Sequence, residues 1–340
     1  MDSPRPAAAS HRGPRVPAAA YAGLAVGLAL FTALIAYQGL REVAAALAVA
    51  GPGLLVVALF HVAPMLADAI GWRCLLDRTV RPSVGAMLRA RWIGESVNGM
   101  LPVMQVGGNV VKARLLAAWG VPAELAGASV VVGVMVLVGS QVPFTLLGVG
   151  LLLSNVAGRA LVPAALVGTG IMVTMLAGFY LAQQRGLFGG LARAAARMVS
   201  GGPDSPFVVG AAALDAAIHR LYRDLGKVGR GAAWHFAGWL VGTGEVWLAL
   251  RFLGHPVGIE QALLLESLGQ AVRAAAFVVP GALGVQEGGY LVLGSVIGLS
   301  AETSLALSLA KRVREVVLGV PGLIAWQAEG ALRGGARRTR

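Results

Sequence analysis

Apolar runs of about twenty residues, each long enough to cross a hydrocarbon core as a helix, recur along this chain and constrain its fold more than any other feature. Backbone polar groups inside a bilayer must be satisfied within a helix or a closed barrel. The runs lack the alternation of barrel strands, so helices remain. Of the 340 residues, 57% are hydrophobic and 13% charged, against about a quarter charged in soluble domains. Mean hydropathy is +0.74. Charge this sparse cannot coat a globule. The fold class is an all-α, polytopic integral membrane protein.

The net charge is +12, which in a soluble chain would suggest nucleic acid. Here the arginines cluster between the apolar runs, as the cytoplasmic loops of multispan proteins require, so no nucleic-acid partner is expected. The lone Cys74 makes no internal disulfide and no metal cluster. Residues 1–17, with three arginines and four prolines, read as a disordered cytoplasmic arm. The apolar run that follows exceeds a signal-peptide core, so it reads as a retained span.

Following charge from run to run gives the topology. Full spans are expected over 18–38, 53–72, 123–153, 160–183, 232–253 and 304–326, with a break in the third near Pro143. Trp72 and Trp92 bracket a basic cytoplasmic loop. The stretch 184–230 reads as a second cytoplasmic loop, carrying one interfacial amphipathic helix over 208–226. Residues 327–340 form a basic tail, and the membrane domain occupies 18–326.

Two stretches fit no simple span. The first, 93–116, holds Glu95, Asn98, Pro102, Gln105, Gly107, Gly108 and Asn109 between basic residues. The second, 261–299, holds Glu266, Gln270, Arg273, Pro280, Gly284 and Glu287. Placing both termini in the cytoplasm makes each a re-entrant helical hairpin, one opening inward and one outward. Within them, the segments beginning Gly94-Glu-Ser-Val and Gly269-Gln-Ala-Val start alike, and each leads to a proline and then to glycines. Such pairs mark inverted-repeat transporters, although two ordinary kinked helices would read the same way.

Charges within or beside apolar runs are functional candidates by default, because each costs several kcal/mol unless paired or wet. Glu266, Gln270 and Arg273 share a helix face, and Lys311 and Arg312 can each reach Glu315 along their own helix. Structural ion pairing is the competing account of these residues, while Glu95, Asn98 and Glu287 read as lining a polar cavity. His61 and Asp68, seven residues apart, are a weak basis for a proton relay. No histidine pair has metal spacing, no phosphate-binding or dinucleotide loop occurs, and no serine sits in a nucleophile elbow. The chain is read as no enzyme and as needing no cofactor.

The run Gly94-Glu-Ser-Val-Asn-Gly-Met-Leu-Pro-Val-Met-Gln-Val-Gly-Gly108, with Lys112-Ala-Arg114, resembles the first signature of the lysylphosphatidylglycerol-synthase transmembrane (flippase-like) superfamily. Glu266-Ser-Leu-Gly-Gln-Ala-Val-Arg273, Val279-Pro-Gly-Ala-Leu-Gly-Val-Gln-Glu-Gly-Gly289 and Ala310-Lys-Arg-Val-Arg-Glu315 resemble its second half, most closely in the hopanoid-biosynthesis-associated HpnL type. Asn109 and Lys112 depart from a pattern that more often has an acidic residue and arginine there. The resemblance implies a translocase of the bacterial inner membrane, moving hopanoid or a related lipid, with membrane lipid and lipid-biosynthesis proteins as partners. Glu95, Asn98, Gln105, Asn109, Arg273 and Glu287 would then hydrate a head group, together with Glu266, Gln270 and Arg314, while Pro102 and Pro280 hold the helices broken. A non-transporting accessory protein and a membrane-embedded transferase are the alternatives.

Overall fold

In the computed structural model the described residues are 45, 48–101, 106–198, 205–276, 279 and 282–338. The arm over 1–17, the expected span over 18–38, and Pro102, Gln105 and Pro280 lie outside them. All regular structure among the described residues is helical.

The first described crossing is Gly53–Cys74, whose 22 residues reach about 33 Å as a helix. It was expected unbroken, yet it divides at His61 into α1 (Gly53–Phe60) and α2 (Val62–Cys74). Pro64 has no N–H for the Phe60 carbonyl, which removes one hydrogen bond at that turn. Ser83 caps α3 (Val84–Met100) by accepting the Ala86 N–H at 3.2 Å. The next described helix is α4 (Gly107–Ala118). These two arms extend beyond the expected limits of 93–116 because the Ser83 cap lies nine residues upstream of Trp92.

The long α5 (Ala123–Ser154) passes through Pro143 as one helix, so the expected break does not occur. A single 3₁₀ turn (Arg159–Leu161) leads to α6 (Val162–Gln184). The next stretch holds two helices where one was expected, α7 (Leu187–Met198) and α8 (Pro206–Arg223). Gly189 and Gly190 obscured α7 in the sequence, since glycine weakens a helical reading. The second ends at Asp224, whose side chain accepts the Lys227 N–H at 3.0 Å and so starts α9 (Leu225–Phe252) instead. Then follow α10 (Ile259–Ala275), α11 (Val285–Val296) and α12 (Ala301–Arg338), which runs on through most of the expected tail.

Gly53–Cys74, Ala123–Ser154 and Arg159–Gln184 are long and apolar enough to cross a membrane on length and composition. Both α9 and α12 have the length, but His235 and Glu245 in one, and Lys311, Arg312, Arg314 and Glu315 in the other, lower their apolarity. Those residues pair inside the protein instead of facing lipid.

The order span, short pair, long helix occurs twice. In the first half the short arms have 17 and 12 residues and precede the long α5. In the second half they again have 17 and 12 residues and precede the long α12. Packing repeats too, for α3 crosses α12 while α10 crosses α5, so each half's first arm lies on the other half's long helix. Both crossings set a glycine against a serine, Gly322 on Ser96 and Gly148 on Ser267. The two leading spans pack side by side, and Gly53 lies at Phe252, Phe60 at Gly244, and Gly71 at Gly231. Rising numbers meet falling ones, so the spans are antiparallel and the repeat is inverted.

Two apolar cores occupy the ends of this arrangement. One joins Trp72, Ile93, Leu116, Val132 and Ile218; the other joins Val57, Leu152, Leu250, Leu265 and Leu307. Both α5 and α9 run through each core, and their buried polar residues Gln141, Thr145, His235, Thr243 and Glu245 fall in the middle. At the loop side, Lys227 reaches Asp77 at 2.5 Å and Asp224 at 3.1 Å. The hydrogen bond to Asp77 holds its ammonium above the usual lysine range.

Candidate functional site: a charged layer between the two halves

Charged side chains form a connected layer between the apolar cores. In the second half, Lys311 of α12 contacts Glu266 of α10 at 2.5 Å, and Gln270 donates to the same carboxylate at 2.8 Å. Lys311 could reach Glu315 along its own helix, but α10 brings Glu266 closer and takes its ammonium instead. Arg312 does reach Glu315, at 3.1 Å. Arg273 bridges α10 to both neighbours, contacting Glu315 at 2.6 Å and donating to Gln286 Oε1 at 2.9 Å.

Glu287 is fully buried at 0% exposure, so it lines no open cavity. Its carboxylate accepts the Gly284 N–H at 2.7 Å and the Ser308 hydroxyl at 3.1 Å, and it meets Arg312 at 3.2 Å. Gly284 has φ +76°, a conformation that glycine adopts without a Cβ clash, and this lets α11 start where the carboxylate can cap it. In this position Glu287 fixes the start of the second arm.

Three residues join this cluster to the other half. Arg314 donates to Glu245 Oε2 of α9 at 2.9 Å, and its Nη1 lies 2.8 Å from His61 Nδ1. His61 Nδ1 lies 2.7 Å from Glu245, and its Nε2 lies 3.0 Å from Glu95 of α3. From Glu95 the layer continues to Arg91 at 3.4 Å, then to Asp68 at 2.9 Å and to His235 at 2.8 Å. Removing one partner of such a buried pair typically costs about 3–5 kcal/mol, because the other charge is left uncompensated.

Beyond His235 lies a cavity of about 20 Å³, lined by Asp68, Trp72, Arg91, Lys112 and His235 among others. That volume holds about one water. The Lys112 ammonium sits 5.6 Å from the Trp72 ring centroid. On the other side of α5 and α9 is an open groove of about 610 Å³, with a mostly apolar lining that includes Val136, Pro143, Tyr222 and Phe236. Val136 and Phe236 face the groove, while their neighbours Leu137 and His235 face the cavity. Tyr180 and Tyr222 meet edge to face at the groove, 5.0 Å between centroids, and the Tyr222 hydroxyl donates to Gln183 Oε1 at 3.0 Å.

Among the expected site residues, the structure thus brings Glu95, Glu266, Gln270, Arg273, Glu287 and Arg314 into one layer. Asn98 is adjacent but ties the first pair together, its Oδ1 accepting the Gly108 N–H at 2.7 Å. Asn109 is half-buried in the first turn of α4. Residues His61, Asp68, Arg91, His235 and Glu245 complete the layer. In the sequence, Asp68 and Glu245 count as charged candidates within apolar runs and His61 only as a weak relay partner of Asp68, while Arg91 and His235 are not singled out for the site. Arg91 stands four residues before Glu95, a spacing that could have revealed it. His235 carried no such signal, because its partner Asp68 is 167 residues away.

A family model described as lysylphosphatidylglycerol synthase TM region matches residues 22–322. Neither the curated proteins nor the solved structures contain a match.

Proposed function

The chain belongs to the family of the lysylphosphatidylglycerol synthase TM region, and from that premise we propose that it is a flippase-like lipid translocase of the bacterial inner membrane. The observation that carries this reading is the inverted repeat, with its charged layer at the junction of the halves. Transporters built from inverted repeats place their sites at that junction and alternate access by moving one half against the other.

The two short helix pairs act as re-entrant hairpins, one from each side, with both termini in the cytoplasm. The groove beside α5 and α9 takes the hydrocarbon part of the lipid. The charged layer, reached beside Glu95, takes the polar part. A hopanoid, as in the HpnL type, or a related lipid suits a groove with so little polar lining. The chemistry is movement without bond making, and no cofactor enters it.

Purified protein in liposomes, loaded with labelled hopanoid or phospholipid in one leaflet, tests the proposal. Faster equilibration than in empty liposomes is expected, without a partner protein. Movement at the protein-free rate for both lipids contradicts it, and product formation from an added donor would make the chain a transferase.

A further inference from the structure

His61 faces carboxylate oxygens at both ring nitrogens, Glu95 Oε1 at Nε2 and Glu245 Oε2 at Nδ1. A neutral imidazole has one N–H and one lone pair, and an ionised carboxylate only accepts. Both contacts are therefore hydrogen bonds only while the ring is an imidazolium or a carboxyl carries the proton. Arg314 supplies the alternative, because its Nη1 stands 2.8 Å from Nδ1 and 2.9 Å from Glu245 Oε2. When the ring is neutral, Arg314 donates to the bare Nδ1 and the Nε2–H still donates to Glu95. Each protonation state thus finds its partners already in place.

The surroundings give the proton a direction. Side-chain exposure falls from 34% at Glu95 to 16% at His61 and 2% at Glu245. The second Glu245 oxygen, Oε1, accepts no hydrogen bond among the described residues, and Lys311 stands 3.8 Å from it. Charged groups face the ring from every packed element: Glu95, with Arg91 beside it, on α3, Glu245 on α9, and Arg314, with Lys311 behind Glu245, on α12. His61 itself stands at the break between α1 and α2, so four elements from both halves meet at one titratable ring.

We propose that His61, between Glu95 and Glu245, is a proton-binding site that couples lipid movement to a transmembrane proton gradient; this rests on the translocase reading. From the tautomer whose Nδ1–H donates to Glu245, a proton entering from Glu95 adds to the bare Nε2. The imidazolium then returns it to Glu95 or passes its Nδ1–H proton to Glu245, which leaves the neutral ring whose bare Nδ1 faces Arg314, and no other bond changes. The charged ring ties α1/α2, α3 and α9 together. A proton passed to Glu245 neutralises the carboxylate that Arg314 of α12 pairs with, and so loosens α12 from α9.

Two measurements test this. In liposomes with the membrane potential clamped, an imposed pH gradient should change the lipid-movement rate of the unaltered protein several-fold, and His61→Gln and Glu245→Gln should abolish that response. Lipid movement indifferent to the gradient overturns the proposal, as does a response that survives in His61→Gln. Independently, nuclear magnetic resonance of histidine-labelled protein in detergent should show one imidazole, absent from His61→Gln, titrating reversibly between about pH 5 and 8. An imidazole fixed in one state throughout that range overturns the proton site even where no lipid moves. Absent lipid movement with a titrating His61 overturns the translocase reading and the coupling, while the proton site stands.

Discussion

The two halves share a skeleton and differ in where they keep charge. In the second, α10, α11 and α12 carry Glu266, Arg273, Glu287, Lys311, Arg312, Arg314 and Glu315, all paired. In the first, α5 carries no buried charge, and Arg91, Glu95 and Lys112 sit on the short arms. Both long helices are crossed at a glycine–serine contact, but the first is otherwise held by apolar packing and the second by ion pairs. One backbone plan therefore tolerates two ways of holding its long helix. The ionic way places paired charge at the junction.

Breaking the ionic half should have the largest effect. Lys311→Met leaves Glu266 buried without its ammonium, and a loss of about 3–5 kcal/mol is expected. Thermal unfolding in detergent checks this, and adding Glu266→Gln should restore much of the loss. If Lys311→Met unfolds like the unaltered protein, the second half is not held by charge.

In the first half the equivalent test is steric. A Cβ at Gly108 would collide with the Gly94 carbonyl and the Asn98 side chain. Gly108→Val should force the arms apart at a cost of about 1–3 kcal/mol. Asn98→Ala probes the same contact more gently, leaving the Gly108 N–H without its acceptor for about 1–3 kcal/mol at most. Hydrogen exchange at the start of α4 should rise in both variants, while exchange in α11 stays unchanged.

The smallest effect belongs to the loop pair Asp77–Lys227. Both side chains are at least partly exposed, so Asp77→Asn should cost under about 1 kcal/mol. Asp77 raises the Lys227 pKa, so the stabilisation is present below the ordinary lysine range and disappears as pH rises through the raised value. Unfolding midpoints of the two proteins should therefore converge at strongly alkaline pH.

The sequence made the class and the two exceptional stretches legible, because apolar run length and the placement of Arg, Gly and Pro are local signals. It also brought out Glu266 with Gln270, and Arg312 with Glu315, as neighbours along one helix. Pairings between helices were not legible. Lys311 reads equally well beside Glu315, and only the approach of α10 decides for Glu266. Likewise His61 and Asp68 looked isolated, since the carboxylate and guanidinium linking them come from α3. The break at His61 was readable at Pro64 but weak, because prolines are common in membrane helices.

The central claim is that lipid moves when the two halves move against each other. A Cβ at Gly238 of α9 would lie 3.4 Å from the Ala67 Cβ of α2, close to the usual spacing in a disulfide. With Cys74→Ser removing the native thiol, Ala67→Cys and Gly238→Cys would link the halves directly. Lipid movement in liposomes should stop on oxidation and return on reduction. Movement at the unlinked rate, with the disulfide fully formed, would contradict the account.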